Sequence, residues 1–205
     1  MTDMRRGLIL AAVGTKHLRD DAINQEVALE LAHTLIKELR PRYAFCTGVS
    51  GWDGVWGAAL MNSKVPYCML LPYRNIGIDW YSGNRALLDT YISNAERVEY
   101  TNYNYTPTVY GDTTRYLLSN VEGLVTLQRP QARHAPWRAL AGTYKAESCT
   151  DKTSSSDRVI AMATDLDIPV KEVWKQYTRI LDKQEEETYD RYEAGISTSR
   201  HRASA

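Results

Sequence analysis

The residues best placed to do chemistry form the run Thr47-Gly48-Val49-Ser50-Gly51-Trp52-Asp53-Gly54, which joins the end of one predicted element to the start of another. Glycine at 48 and 51 removes the Cβ that would hold a ligand off the backbone, and the hydroxyls of Thr47 and Ser50 add donors and acceptors. Backbone N–H groups turned inward at a helix N-terminus, where the helix dipole leaves partial positive charge, suit a phosphate or ribose phosphate. The spacing predicts ligand contacts from Thr47, Gly48, Val49, Ser50, Gly51 and Trp52. Asp53 at the helix entry has two readings that coexist. It caps the helix, a common role for Asp there, or its carboxylate takes ribose hydroxyls or polarises water near a glycosidic carbon. The run matches neither the dinucleotide pattern G-x-G-x-x-G nor the Walker P-loop.

In an open parallel sheet, ligands lie outside the carboxyl ends of the strands. The loops starting at Gly14, Thr47, Pro72, Thr101 and Gln128 are therefore the ones that matter. Gly14, Thr15 and Lys16, followed by His17, close the first apolar run and are read as ligand-binding or as an ordinary polar loop. Tyr73 and Trp80 carry rings that stack on a base or pack beneath the loop. Arg115 offers a forked guanidinium to a phosphate, or a solvated surface charge. Glu122 joins Asp53 as a candidate catalytic carboxylate for an oxocarbenium-like centre. Arg129, Arg133, His134 and Arg138 make residues 128–156 locally basic, either a clamp for an anion or a soluble loop. No His, Cys or Asp spacing points to a metal, no cofactor is indicated, and no serine-hydrolase elbow stands out.

The elements that must position these residues follow from periodicity. Gly7 to Val13 is a continuous apolar run and reads as a buried strand. Asp20 and Asp21 precede an amphipathic helix with Ile23, Val27, Leu31, Leu35 and Leu39 on its apolar face, stopped by Pro41. Tyr43 to Cys46 is a second strand, Gly54 to Asn62 a compact helix, and Val65 to Leu71, closed by Pro72, a third strand. Helical spacing over Trp80 to Asn94, a strand over Arg97 to Tyr100, a helix near Asp112 to Ser119 and a strand over Gly123 to Leu127 continue the alternation. Strands alternating with helices predict an α/β fold: a Rossmann-like open parallel sheet with helices on both faces. After the 128–156 stretch come a helix over Asp157 to Asp165, a short strand at Ile168-Pro169-Val170 and a charged C-terminal helix. The expected organisation is a nucleotide-binding domain over 1–170, a helix over 171–196 and a disordered tail over 197–205.

Composition limits the function classes. The chain has 205 residues, room for one sizeable core. Its 25 Lys and Arg balance 25 Asp and Glu, so no global basic field draws in nucleic acid, and any such role must be local. The 3 cysteines are odd in number, and Cys46 and Cys68 fall in apolar runs, consistent with reduced thiols in a cytoplasm. The run Leu8 to Val13 is too short for a signal-peptide core or a membrane span. Cytoplasmic localisation, with no membrane partner, is the expectation. The 14 tyrosines and 5 tryptophans against 1 phenylalanine predict half-wet aromatic surfaces lining a pocket or an interface.

These residues together resemble the SLOG superfamily, the Rossmann-like group that includes DprA, the cytokinin-activating LOG phosphoribohydrolases and the YpsA/YoqJ (DUF1273) type common in bacteria and phages. The resemblance spans roughly residues 7 to 170 and rests on four segments: Val13 to His17; Thr47 to Asp53 with Ala58-Ala59; Val65 to Tyr73 followed by Trp80; and the order of Arg97 to Tyr100, Tyr105, Arg115 and Leu124 to Leu127. Bringing Gly51 and Asp53 into register needs a one-residue gap, the LOG signature P-G-G-x-G-T-x-x-E is absent, and Ser154-Ser155-Ser156 stands where the family has a late glycine-threonine loop. The resemblance implies binding of a nucleotide or nucleotide-derived ligand such as NAD, ADP-ribose or a cyclic nucleotide, by a homodimer or higher homo-oligomer. Two alternatives remain open: an N-glycosidase, phosphoribohydrolase or (deoxy)ribosyltransferase using Asp53 or Glu122, and a DprA-like DNA-handling accessory.

Overall fold

Strands that are apolar on both sides must be covered on both sides, and the first strand shows how that is met. Leu10 and Ala12 point into one core while Ala11 and Val13 point into another. A computed structural model describes residues 4–15, 22–128, 155–184 and 186. Its strands are β1 (Ile9–Gly14), β2 (Tyr43–Cys46), β3 (Tyr67–Tyr73), β4 (Arg97–Asn102), β5 (Gly123–Leu127) and β6 (Val170–Glu172). They form one six-stranded sheet in the order β4-β3-β2-β1-β5-β6, and every neighbouring pair is parallel. The fold is a Rossmann-like α/β sheet, as the alternation of elements predicts.

Helices α1 (Ala22–Leu39), α2 (Gly51–Asn62) and α3 (Ser82–Asn94) share the larger core with the Leu10 side of β1. Helices α4 (Val109–Asn120) and α5 (Ser155–Asp165) cover the opposite face through Leu117, Leu118 and Ala163. A further helix, α6, runs over 174–184 and returns to the larger core, where Val173 and Tyr177 are buried and Trp174, Ile180 and Leu181 pack against them. The charged C-terminal helix thus lays its sparse apolar stripe on its own sheet, beside α1.

Several boundaries differ from the sequence reading, each for a physical reason. Helix α2 starts at Gly51, not Gly54, because Gly51 takes φ +59° and turns the chain into the helix at once. Strand β3 runs through Pro72 to Tyr73, which is tolerated because the pairing with β2 has already ended at Cys46 opposite Met69. Lys171 and Glu172, expected in the C-terminal helix, belong to β6, which pairs with β5 through Val125 and Thr126. Lys16, His17, the basic residues 129–138 and the 197–205 tail lie outside the described residues.

Candidate functional site

Strand order reverses at β1: β2, β3 and β4 continue to one side, β5 and β6 to the other. Such a switch point leaves a crevice outside the carboxyl ends of the two central strands, because the helices following them leave on opposite faces. Here the crevice is built from the ends of β1 and β5 and the starts of α2 and α5. Thr15 N–H donates to Leu127 O (2.9 Å), locking the two strand ends together. Trp52 N–H donates to Thr15 O (3.0 Å), which ties the start of α2 to the same place. Ser156 Oγ–H donates to Gly14 O (2.8 Å), bringing the start of α5 there from the other face. Asp157 and Gln128 close the group through a short side-chain hydrogen bond.

The glycine loop is therefore where the sequence placed it, beside Gly14 and Thr15. The backbone N–H groups of Gly48, Val49, Ser50 and Gly51 make no hydrogen bond to any described residue, and the Ser50 side chain makes no cap bond to α2. Asp53 does not occupy the cap position, which belongs to Ser50. It sits in the first turn of α2, and its Oδ2 accepts from Thr47 Oγ1 at 3.4 Å. The hydroxyl and carboxylate that flank the loop thus hold each other across it. Cys46 Sγ donates to Gly48 O at 3.4 Å beneath the loop, and burial, together with the Asp53 charge, pushes its thiol up to about 12. A thiol held protonated in this way is a packing group, not a nucleophile.

Other predicted residues fall elsewhere. Trp52 is fully buried and its Nε1–H donates to Val125 O at 3.3 Å, so it wedges under the crevice and presents no ring to a ligand. The space it needs explains Gly14: a Cβ there would stand 2.9 Å from Trp52 Cδ1 and 2.4 Å from Leu127 O. Glu122 precedes β5 and so stands at the amino end of the sheet. It accepts from Ile9 N–H at 2.7 Å and pairs with Arg42 at 3.0 Å. Its carboxylate and that of Asp53 flank opposite ends of the strands and cannot act on one bond. Arg115 lies on α4, which packs over β3 and β4, and its exposed guanidinium pairs with Asp112 at 2.5 Å. Tyr73 meets Tyr105 edge to face at 5.7 Å, and Trp80 lies against Gly77 in the turn after β3. The predicted residues thus divide into a switch-point group, an aromatic group around the end of β3, and two that join neither, Arg115 on α4 and Glu122 at the amino end of the sheet.

Gln128, Ser156 and Asp157 are the switch-point residues that the sequence reading left out of its site. The signal for two of them was present, since serines and an Asp ahead of an apolar stretch mark a helix start. Among the described residues no three His, Cys, Asp or Glu side chains converge as a metal would need.

Neither the known protein-family profiles nor the curated proteins contain a match to this chain. The fold has a solved counterpart. DNA processing protein A (DprA) from Streptococcus pneumoniae superimposes with a TM-score of 0.53 at 12% identity, over 88% of this chain and 56% of the DprA chain. This chain thus spans little more than half the length of that protein. At such identity the likeness is one of fold, and it agrees with the Rossmann-like sheet described above. No helix among the described residues is long and apolar enough to cross a membrane.

Proposed function

We propose that this protein binds a nucleotide or nucleotide-derived ligand, of the NAD, ADP-ribose or cyclic-nucleotide kind, with a phosphate at the Thr47 to Gly51 loop. The observation that carries the reading is the run of four backbone N–H groups, Gly48 to Gly51, that find no acceptor among the described residues at the start of a helix. Backbone donors left open beside a helix N-terminus suit an anion, since they add directed hydrogen bonds to the dipole. Gly14 and Thr15 lie on the near wall, and Ser156 at the start of α5 supplies a second helix N-terminus across the crevice. Binding is favoured over cleavage because the two candidate carboxylates do not converge: Asp53 stands beside Thr47 at the loop, and Glu122 at the far end of the sheet.

Incubating the full chain with nucleotides, NAD, ADP-ribose and cyclic nucleotides, then identifying bound and released species by mass spectrometry, tests both halves of this reading. Intact ligand recovered on denaturation, and lost in Gly48→Asp, is the expected result. A freed base or ribose phosphate would replace binding by N-glycoside cleavage with Asp53 as the carboxylate. A second reading, DNA handling, draws on the structural likeness to a protein named for DNA processing. Its test is a salt-dependent shift of single-stranded DNA in the absence of any nucleotide ligand.

A further inference from the structure

Away from the crevice, a cavity of about 260 Å³ opens between the turn at 74–78 and helix α3. It lies by β4, three strands from β1, so about 14 Å separates it from the switch point at the usual strand spacing. Its floor is apolar. Leu71 of β3 and Leu88 and Ile92 of α3 line it together with Ile76, while Tyr100 of β4 forms a wall. On α3 the lining residues Arg85, Leu88, Asp89 and Ile92 recur at helical spacing, so one face of that helix looks into the cavity. A neighbouring sheet residue, Val98, packs against the core beneath.

Arg74 and Arg85 also line it, and neither has an ion-pair partner among the described residues. Three other surface arginines find carboxylates, Arg42 with Glu122, Arg97 with Glu99 and Arg115 with Asp112, whereas Arg5, Arg6, Arg40, Arg158 and Arg179 form no ion pair among the described residues, so it is the shared cavity that sets Arg74 and Arg85 apart. Asp89 also lines the cavity and forms no ion pair with either arginine, so it is the one negative charge on the lining. Arg74 is instead held by aromatic rings, its guanidinium carbon 5.2 Å from the centre of Tyr103 and 5.9 Å from that of Tyr100. A guanidinium held against ring faces keeps its N–H donors for an acceptor. The turn that presents Arg74 is wound tightly by successive bonds, Ile76 N–H to Tyr73 O and Ile78 N–H to Asn75 O, with Gly77 at φ +89° against Leu88.

We propose that this cavity is a second binding site, distinct from the crevice, for a small phosphate monoester carrying a compact apolar or aromatic body. A monoester near neutral pH carries close to two negative charges; the two arginines meet them, and their excess over the single Asp89 carboxylate leaves the lining net positive. Forked N–H donors bind phosphate oxygens in pairs. The apolar body displaces water that would have few partners on Leu71, Ile76, Leu88 and Ile92, and Tyr100 offers a ring face to an aromatic one.

Phenyl phosphate, inorganic phosphate and phenylacetate serve as probes, titrated into the full chain by calorimetry or ligand-observed NMR. Phenyl phosphate is expected to bind most tightly. Inorganic phosphate lacks the apolar body and phenylacetate has half the charge. Arg74→Gln and Arg85→Gln, both at exposed positions, should each weaken phenyl phosphate by roughly tenfold, as loss of a charged hydrogen bond does. Gly48→Asp should leave that binding unchanged, which separates failure here from failure of the crevice reading. The proposal is overturned if phenyl phosphate binds no better than phenylacetate, or if both arginine variants bind it as the parent does. Single-stranded DNA binding that the arginine variants abolish, with no phenyl phosphate bound, would also overturn it in favour of a nucleic-acid surface.

Discussion

Two glycines of the site have opposite surroundings, and that difference is measurable. At Gly14 an added Cβ meets a backbone oxygen at 2.4 Å and a buried indole at 2.9 Å. Neither neighbour can give, so Gly14→Ala should lower stability by about 1–3 kcal/mol, read from urea denaturation. At Gly48 the nearest atom is Asp53 Cβ at 3.5 Å, ordinary contact distance, so Gly48→Ala should stay within about 1 kcal/mol of the parent. A large loss at Gly48 would mean that the loop is packed rather than open. Trp52→Phe belongs to the same scale. It leaves Val125 O without its indole donor in a fully buried position and should cost about 1–3 kcal/mol while leaving ligand affinity within a factor of a few, because no ring face reaches the crevice.

At the scale of elements, continuous apolar runs bounded by breakers declared themselves. Gly123 to Leu127 is β5 residue for residue, and Tyr43 to Cys46 is β2, because a strand buried on both faces needs nothing but apolar residues. The chain after Ile168 was read less well. Lys171 and Glu172 look like helix surface, yet they alternate on a three-residue edge strand whose backbone is claimed by β5. Tertiary pairing overrode local charge there. The same region carries a test of whether α6 is part of the domain or an appendage. Tyr177 is 4% exposed and shares the core with α1 and β5 residues. If the helix is integral, Tyr177→Ala should cost roughly 3 kcal/mol, lowering the melting temperature by about 6–12 °C in a chain of this size. An unchanged melting temperature would make the helix a loosely attached appendage.

The whole molecule has a polar direction that residue-level reading could only half recover. The loop at Thr47 is legible because glycines, hydroxyls and a helix start are local features, whereas the position of Glu122 at the amino end of the sheet depends on the strand it precedes and not on its own chemistry. The switch point itself depends on β1 pairing with β5 across more than a hundred residues, a choice no local pattern encodes. Glu122→Gln should therefore leave ligand binding unchanged, with a stability change of about 1 kcal/mol or less for a partly exposed pair. The same global packing makes the fold sensitive to alkali. Burial pushes Cys46 up to about 12, Cys68 to about 11 and Tyr67 to about 12, and it raises Tyr91 as well. Tyr67 and Tyr91 donate their hydroxyls at 2.7 Å to Tyr91 O and Gly54 O, so the folded state holds the protons that the unfolded chain releases. With folded values above the ordinary 9.0 of a thiol and 10.0 of a phenol, the folded state binds more protons in that window, and stability must fall as pH rises through it. Below about pH 9 this contribution is fully present, and between about pH 9 and pH 12 it is progressively lost. Urea midpoints should accordingly stay level from about pH 7 to pH 8.5 and then drop, with a shallower drop in Cys46→Ala, which removes one of the buried acids. A midpoint that held level to about pH 11 would show that these groups reach solvent and that the core around β2 and β3 is looser than the buried thiols and phenols imply.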